Sequence, residues 1–235
     1  EVREFLASNR LPYHWIFADD DEGKRLLDAA GLDALTLPVV ITEKGETLVD
    51  PTDVELATLL GLSTSPQLEM YDLAVIGGGP AGLAAAVYGA SEGLKTVLIE
   101  KATTGGQAGR SSKIENYLGF PTGISGAELT TSARRQAERF GAEVITTQEA
   151  GKLEVNGVGA AHSIHLNDET SGARAVILAT GGYGNVYHKT TLAKNSNSSA
   201  MMRAYERGAY LASPCFVQFH PTGLPVNAKW QAKTT

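Results

Sequence analysis

Three glycines, Gly77, Gly79 and Gly82, stand in G-x-G-x-x-G spacing directly after an apolar run from Tyr71 to Ile76. That run has the length of a buried strand, and the alanine-rich stretch from Pro80 to Gly93 has the character of a helix. In this setting each glycine has its own job: a tight turn, close approach of backbone to phosphate, and close contact between helix and strand. The amides around Pro80 and Ala81 and the helix N-terminus then face a dinucleotide pyrophosphate. Glu100 ends the next strand, Thr96 to Glu100, 23 residues after Gly77 (100 − 77). A carboxylate at that place can accept both hydroxyls of the adjoining ribose.

Other reactive side chains are few. Cys215 is the single cysteine of 235 residues, which excludes an internal disulfide and a cysteine-based zinc cage. Beside Phe216 it reads as a buried structural thiol. No metal site is read from the sequence. The net charge of −6 argues against nucleic acid as a partner. No apolar run approaches the ~20 residues needed to cross a bilayer, and no secretory leader opens the chain, so a cytoplasmic protein is expected.

The elements that must position these residues fall into three parts. Residues 1–69 read as helix (Glu1 to Ser8), strand (Tyr13 to Ala18) and helix (Asp20 to Ala30), then a hairpin around Lys44-Gly45 and a last helix (Thr52 to Leu60). Thr52 with Glu55 has capping-box spacing. This order matches a thioredoxin-type fold without its first strand, and Pro38 stands where that fold keeps a cis-proline. A docking or structural module is expected there, and 62–69 reads as a polar linker. Residues 70–182 hold the glycine turn and a helix from Gly126 to Phe140, capped by Ser125 and Glu128. A strand from Glu143 to Thr147 and a three-stranded meander, Lys152 to Leu178, complete this part. Residues 183–235 read as loop around one helix, Ser198 to Arg207.

Gly77 to Gly82 with Glu100-Lys101, and Ala179-Thr180-Gly181-Gly182 after the meander, resemble the FAD-binding half of two-dinucleotide-binding-domain flavoproteins. Gly105-Gly106-Gln107, Ile114-Glu115-Asn116-Tyr117 and Gly119-Phe120-Pro121 narrow the resemblance to bacterial thioredoxin reductases. Residues 1–69 are similar to the glutaredoxin-like appendage of some multidomain members. The resemblance implies an α/β architecture: a Rossmann-like FAD-binding domain preceded by a partial thioredoxin-like α/β domain. It implies non-covalent FAD, with Gly106, Gln107 and Asn116 at the flavin or its ribityl chain and the turn 179–182 against it. The family's C-x-x-C and NADPH domain have no counterpart in the sequence. An NADPH site or a protein disulfide partner is therefore expected only from a further domain or another chain.

From Ala179 onward the sequence is similar instead to the flavoprotein subunit of succinate dehydrogenase and fumarate reductase. The segment Gln218-Phe219-His220-Pro221-Thr222-Gly223-Leu224 carries this. It implies His220 as a donor to a dicarboxylate substrate, with Gln218 beside it near the flavin. The chain thus reads as two flavoproteins joined at a shared turn. Three functions fit: an FAD oxidoreductase of the thioredoxin reductase-like class, a dicarboxylate-acting flavoprotein fragment, or an FAD-binding or chimeric fragment without turnover. Both families complete the FAD-binding sheet with later sequence absent here, so exposed apolar surface, a homodimer or poor stability is expected.

Overall fold

A computed structural model describes residues 2–9, 11–32, 37–157, 159–167, 169–188, 190, 196–215 and 217. The central element is β3 (Met70–Ile76), with β4 (Thr96–Ile99) and β5 (Glu143–Ile145) parallel to one side of it. On its other side β8 (Thr170–Leu178) also runs parallel and leads into the antiparallel meander of β7 (His162–His165) and β6 (Lys152–Glu154). The six-stranded order is β5-β4-β3-β8-β7-β6. Every residue of β4 is buried, as expected of a parallel strand covered on both faces.

Two helices cover one face. α4 (Pro80–Ser91) and α5 (Gly126–Arg139) pack on Leu73, Val75, Leu98 and Val144 through Leu83, Ala86 and Ala137. On the other face Ala74, Val97, Ile99 and Ile145 meet Ile164, Leu166 and Ala173 of the meander. α5 begins with the expected capping box: Ser125 Oγ accepts from Glu128 N, and the Glu128 carboxylate accepts from Ser125 N. Among the described residues the edge of β8 from Arg174 to Leu178 that faces away from β3 pairs with no strand. Ile177 and Leu178 are exposed there.

The N-terminal part forms α1 (Val2–Ser8), α2 (Asp21–Ala30), the hairpin of β1 (Val39–Ile41) and β2 (Thr47–Val49), and α3 (Asp53–Leu59). Its small core joins Val2, Phe5 and Leu6 to Leu56 and Ala57. The Thr52–Glu55 capping box forms and the Leu37–Pro38 peptide is cis, both as expected. One strand does not form. Tyr13 to Ala18 joins no sheet among the described residues. Arg3 Nε donates to Tyr13 Oη and the Arg3 guanidinium lies over the Trp15 ring. The Phe17 carbonyl sits so near α2 that a Cβ on Gly23 would come within 2.1 Å of it.

Residues 62–69 are fastened along the six-stranded sheet. Thr146 N donates to Ser63 O, Gln67 N to Glu143 Oε1, Leu68 N to Tyr71 Oη and Gly172 N to Glu69 O. The Tyr71 hydroxyl in turn donates to Glu143.

Candidate functional site

The site lies where β3, β4 and β8 end. Gly77 N donates to Ile99 O, and Ala179 N donates to Ile76 O. These bonds hold the glycine turn against the start of the 179–182 turn. Gly77 takes φ +108, and a Cβ on it would reach 2.5 Å from Ala179 O. A Cβ on Gly82 would fall 1.8 Å from Gly77 O, so α4 can start against β3 only with glycine at that place. Both glycines are explained by the protein's own packing.

Gly79 is different. Its φ of −73 suits any residue, and an added Cβ would meet nothing nearer than Gly106 Cα at 4.0 Å. The free space lies at the N-terminus of α4, where the first-turn amides have no acceptor within the helix. Pro80, at the first helical position, loses no bond there. An anionic group seated on these amides needs the room that a side chain at position 79 would fill. Gly106 closes the other wall: Gly105 N donates to Gly78 O, and a Cβ on Gly106 would come 3.0 Å from Gly79 Cα.

Glu100 borders this space. Its Oε2 accepts from Gly78 N at 2.6 Å and its Oε1 from Ala102 N at 3.0 Å. A carboxylate has about four lone-pair positions, so two remain for hydroxyl donors. The set of an amide-lined hollow and a half-used carboxylate fits a pyrophosphate followed by a ribose. Neighbouring Lys101 is paired with Glu149 at 2.7 Å, both exposed.

The other expected residues are spread around this centre. Gln107 precedes the short 3-10 helix Ala108–Arg110 and is exposed, and so is Asn116, in the loop closed by the Ile114–Ile124 bridge. Thr180, Gly181 and Gly182 line a cavity of about 180 Å³ together with Asn197, Ser198 and Met201, at the start of α6 (Ser199–Glu206). Asn197 Oδ1 accepts from Ser199 N and Oγ at that helix start. Gln218 and His220 lie outside the described residues. Cys215 is exposed, not buried as expected: it sits in a turn after α6, where Val217 N donates to its carbonyl. One contributor had no motif to mark it: the Gly78 N–H, which holds Glu100.

Parallel strands ending at a glycine turn, a helix N-terminus and a carboxylate define a Rossmann-like dinucleotide-binding domain. Residues 71–207, more than half of the sequence, match the Pyridine nucleotide-disulphide oxidoreductase family, and the chain belongs to it. It is 41% identical over 121 residues to a thioredoxin reductase of Mycolicibacterium smegmatis, covering 51% of this chain and 37% of that one. It is 47% identical over 77 residues to a thioredoxin reductase of Aquifex aeolicus (strain VF5), covering 33% and 24%. Among solved structures, thioredoxin reductase of Streptococcus pyogenes MGAS5005 aligns at TM-score 0.45 and 38% identity, over 48% of this chain and 36% of that one. The chain therefore spans well under half the length of these relatives. No described helix is long and apolar enough to cross a membrane.

Proposed function

We propose that residues 70–182 form a site for non-covalent FAD in an oxidoreductase of the thioredoxin reductase-like class. The observation that carries this is the open hollow over Gly79, bordered by the Glu100 carboxylate. The amides of Ala81 and Gly82 bind the pyrophosphate, Glu100 accepts the ribose hydroxyls, and Gly106 leaves room for the backbone to approach. Gln107, Asn116 and the 179–182 turn lie on the flavin side, and Lys101 with Glu149 bounds the opposite end. FAD, when bound, supplies the exchange of electrons between donor and acceptor. The protein contributes binding and orientation. With a single cysteine in the sequence, a dithiol for disulfide exchange and an NADPH site come from a further domain or a partner. Residues 1–69 serve as a glutaredoxin-like module without redox chemistry of their own. Cytoplasmic residence and self-association over the open edge of β8 belong to the same proposal.

A second reading rests on Gln218 to Leu224 alone. In it residues 183–235 form a succinate dehydrogenase- or fumarate reductase-like part in which His220 donates to a dicarboxylate beside the flavin. Mixing the FAD-loaded chain anaerobically with NADPH or with succinate separates the cases. Loss of the flavin's visible absorbance with succinate supports the second reading. Loss with NADPH shows that this chain holds its own nicotinamide site and contradicts the first reading as stated. No loss with either leaves FAD binding without turnover in this chain, as the first reading requires.

A further inference from the structure

A cavity of about 290 Å³ opens between the N-terminal part and α5, and none of the residues placed around FAD lines it. Its helical wall is Thr131, Arg134, Arg135 and Glu138, positions three and four apart and so on one face of the helix. Thr104, in the loop after β4, stands on a second side, and Asn9 and Leu62 close the third. That third side is anchored in the N-terminal core, since Asn9 N donates to Phe5 O and Leu62 N to Ala57 O. The loop is anchored too: Gly105, next to Thr104, donates its N–H to Gly78 O. The charges in this cavity do not balance. Arg134 Nε donates to Glu138 Oε1 at 2.8 Å, and the Arg134 side chain is only 20% exposed. Arg135 has no ion pair or hydrogen bond among the described residues. Two guanidinium groups therefore meet one carboxylate, and the cavity keeps a net positive charge. The helix dipole favours a cation in the last turn, which accounts for Arg139. It does not account for two more, a turn earlier, on the wall of a cavity.

We propose that this cavity binds a phosphoryl group through Arg134 and Arg135, carried by a small phosphate ester or present as free phosphate. Each guanidinium is a planar fork that can hold two oxygens at once. A carboxylate fills one such fork, whereas the three oxygens of a phosphoryl group can serve two. Arg134 is the preset fork, because Glu138 holds its Nε and leaves its terminal nitrogens to the ligand. Arg135 brings all its donors. The Thr131 hydroxyl is spent on Ala127 O, so the hydroxyl that adds to the forks is that of Thr104. Leu62 gives the carbon part of an ester an apolar contact. A ligand seated here would bridge the N-terminal part to α5, and it stands independently of the FAD site.

The test is isothermal titration of inorganic phosphate, phenyl phosphate and benzoate into the whole 235-residue chain, at fixed ionic strength and with FAD in both cell and syringe. Wild type should bind one phosphate probe per chain, saturably. Arg135→Gln should weaken that binding about tenfold, the scale of one charge-assisted contact, and should melt with wild type when no probe is present. Arg135→Lys should fall between them, since it keeps the charge and loses the fork. Arg174→Gln, which removes an exposed cation of β8 outside the cavity, should bind as wild type does. Equal affinity for the two phosphates identifies free phosphate, tighter phenyl phosphate identifies an ester, and either supports the site. No saturable binding of either phosphate overturns the assignment. So does unchanged affinity in Arg135→Gln, an equal loss in Arg174→Gln, or benzoate binding more tightly than phenyl phosphate. None of these results bears on whether FAD binds.

Discussion

A Cβ added at position 79 would meet nothing nearer than Gly106 Cα at 4.0 Å, whereas one at position 82 would strike Gly77 O at 1.8 Å. The same motif therefore contains one glycine that the fold does not require and one that it does. Gly79→Ser tests the first. Its φ, ψ of −73, −177 are those of an N-cap, and serine is a favoured N-cap, so the ligand-free protein should melt within a few degrees of wild type. FAD affinity should nevertheless fall at least about tenfold, because the hydroxyl takes both the space and the first-turn amides. Gly82→Ala should show the opposite pattern, a loss of about 1–3 kcal/mol in stability from overpacking. Equal flavin affinity in Gly79→Ser, by fluorescence titration, would count against the hollow as the phosphate seat. At this scale the glycine spacing and Glu100 were legible, because both are local pattern and fixed offset. The separation of their roles was legible as well, from each glycine's place in the motif; the third dimension adds the atom that each extra Cβ would meet. Cys215 was misread because an apolar neighbour in sequence does not provide a covering element in space.

Elements that hold their own instructions matched expectation. Both capping boxes form, since donor and acceptor lie three residues apart and need nothing distant. The strand expected at Tyr13 to Ala18 failed for the converse reason: a run of aromatic and β-branched residues shows strand propensity but not which edge will receive its backbone. The segment 62–69 was legible as polar but not as fastened, for its anchors Tyr71, Glu143, Thr146 and Gly172 come from three different strands or their ends. Tyr71 is 2% exposed, and its burial and then the Glu143 carboxylate raise the phenol above its ordinary value of 10. A group whose value is raised on folding favours the folded state while it keeps its proton. This contribution is complete below about pH 10 and is lost as pH rises from there toward the folded value. Tyr71→Phe should cost about 1 kcal/mol at neutral pH, one hydrogen bond. Its melting temperature should then fall less steeply than that of wild type above about pH 10. Parallel slopes in thermal melts across that alkaline range would mean that Tyr71 does not couple the strap to folding.

For the molecule as a whole, the parallel strands β5, β4, β3 and β8 with α4 and α5 supply a rigid floor. The proposed FAD site lies on the loops at its carboxyl end, where ligand sites of such sheets are built. The fold class was legible because a buried strand, a glycine turn and a helix in succession admit few topologies. Where the sheet leaves β8 open was not, since nothing local to Arg174 to Leu178 states which segment would pair there. The proposed function depends on one event, FAD seating between the α4 N-terminus and Glu100. Isothermal titration of FAD into the flavin-free chain tests it most directly. The predicted result is saturable one-to-one association, and no heat of binding on a folded chain would contradict it.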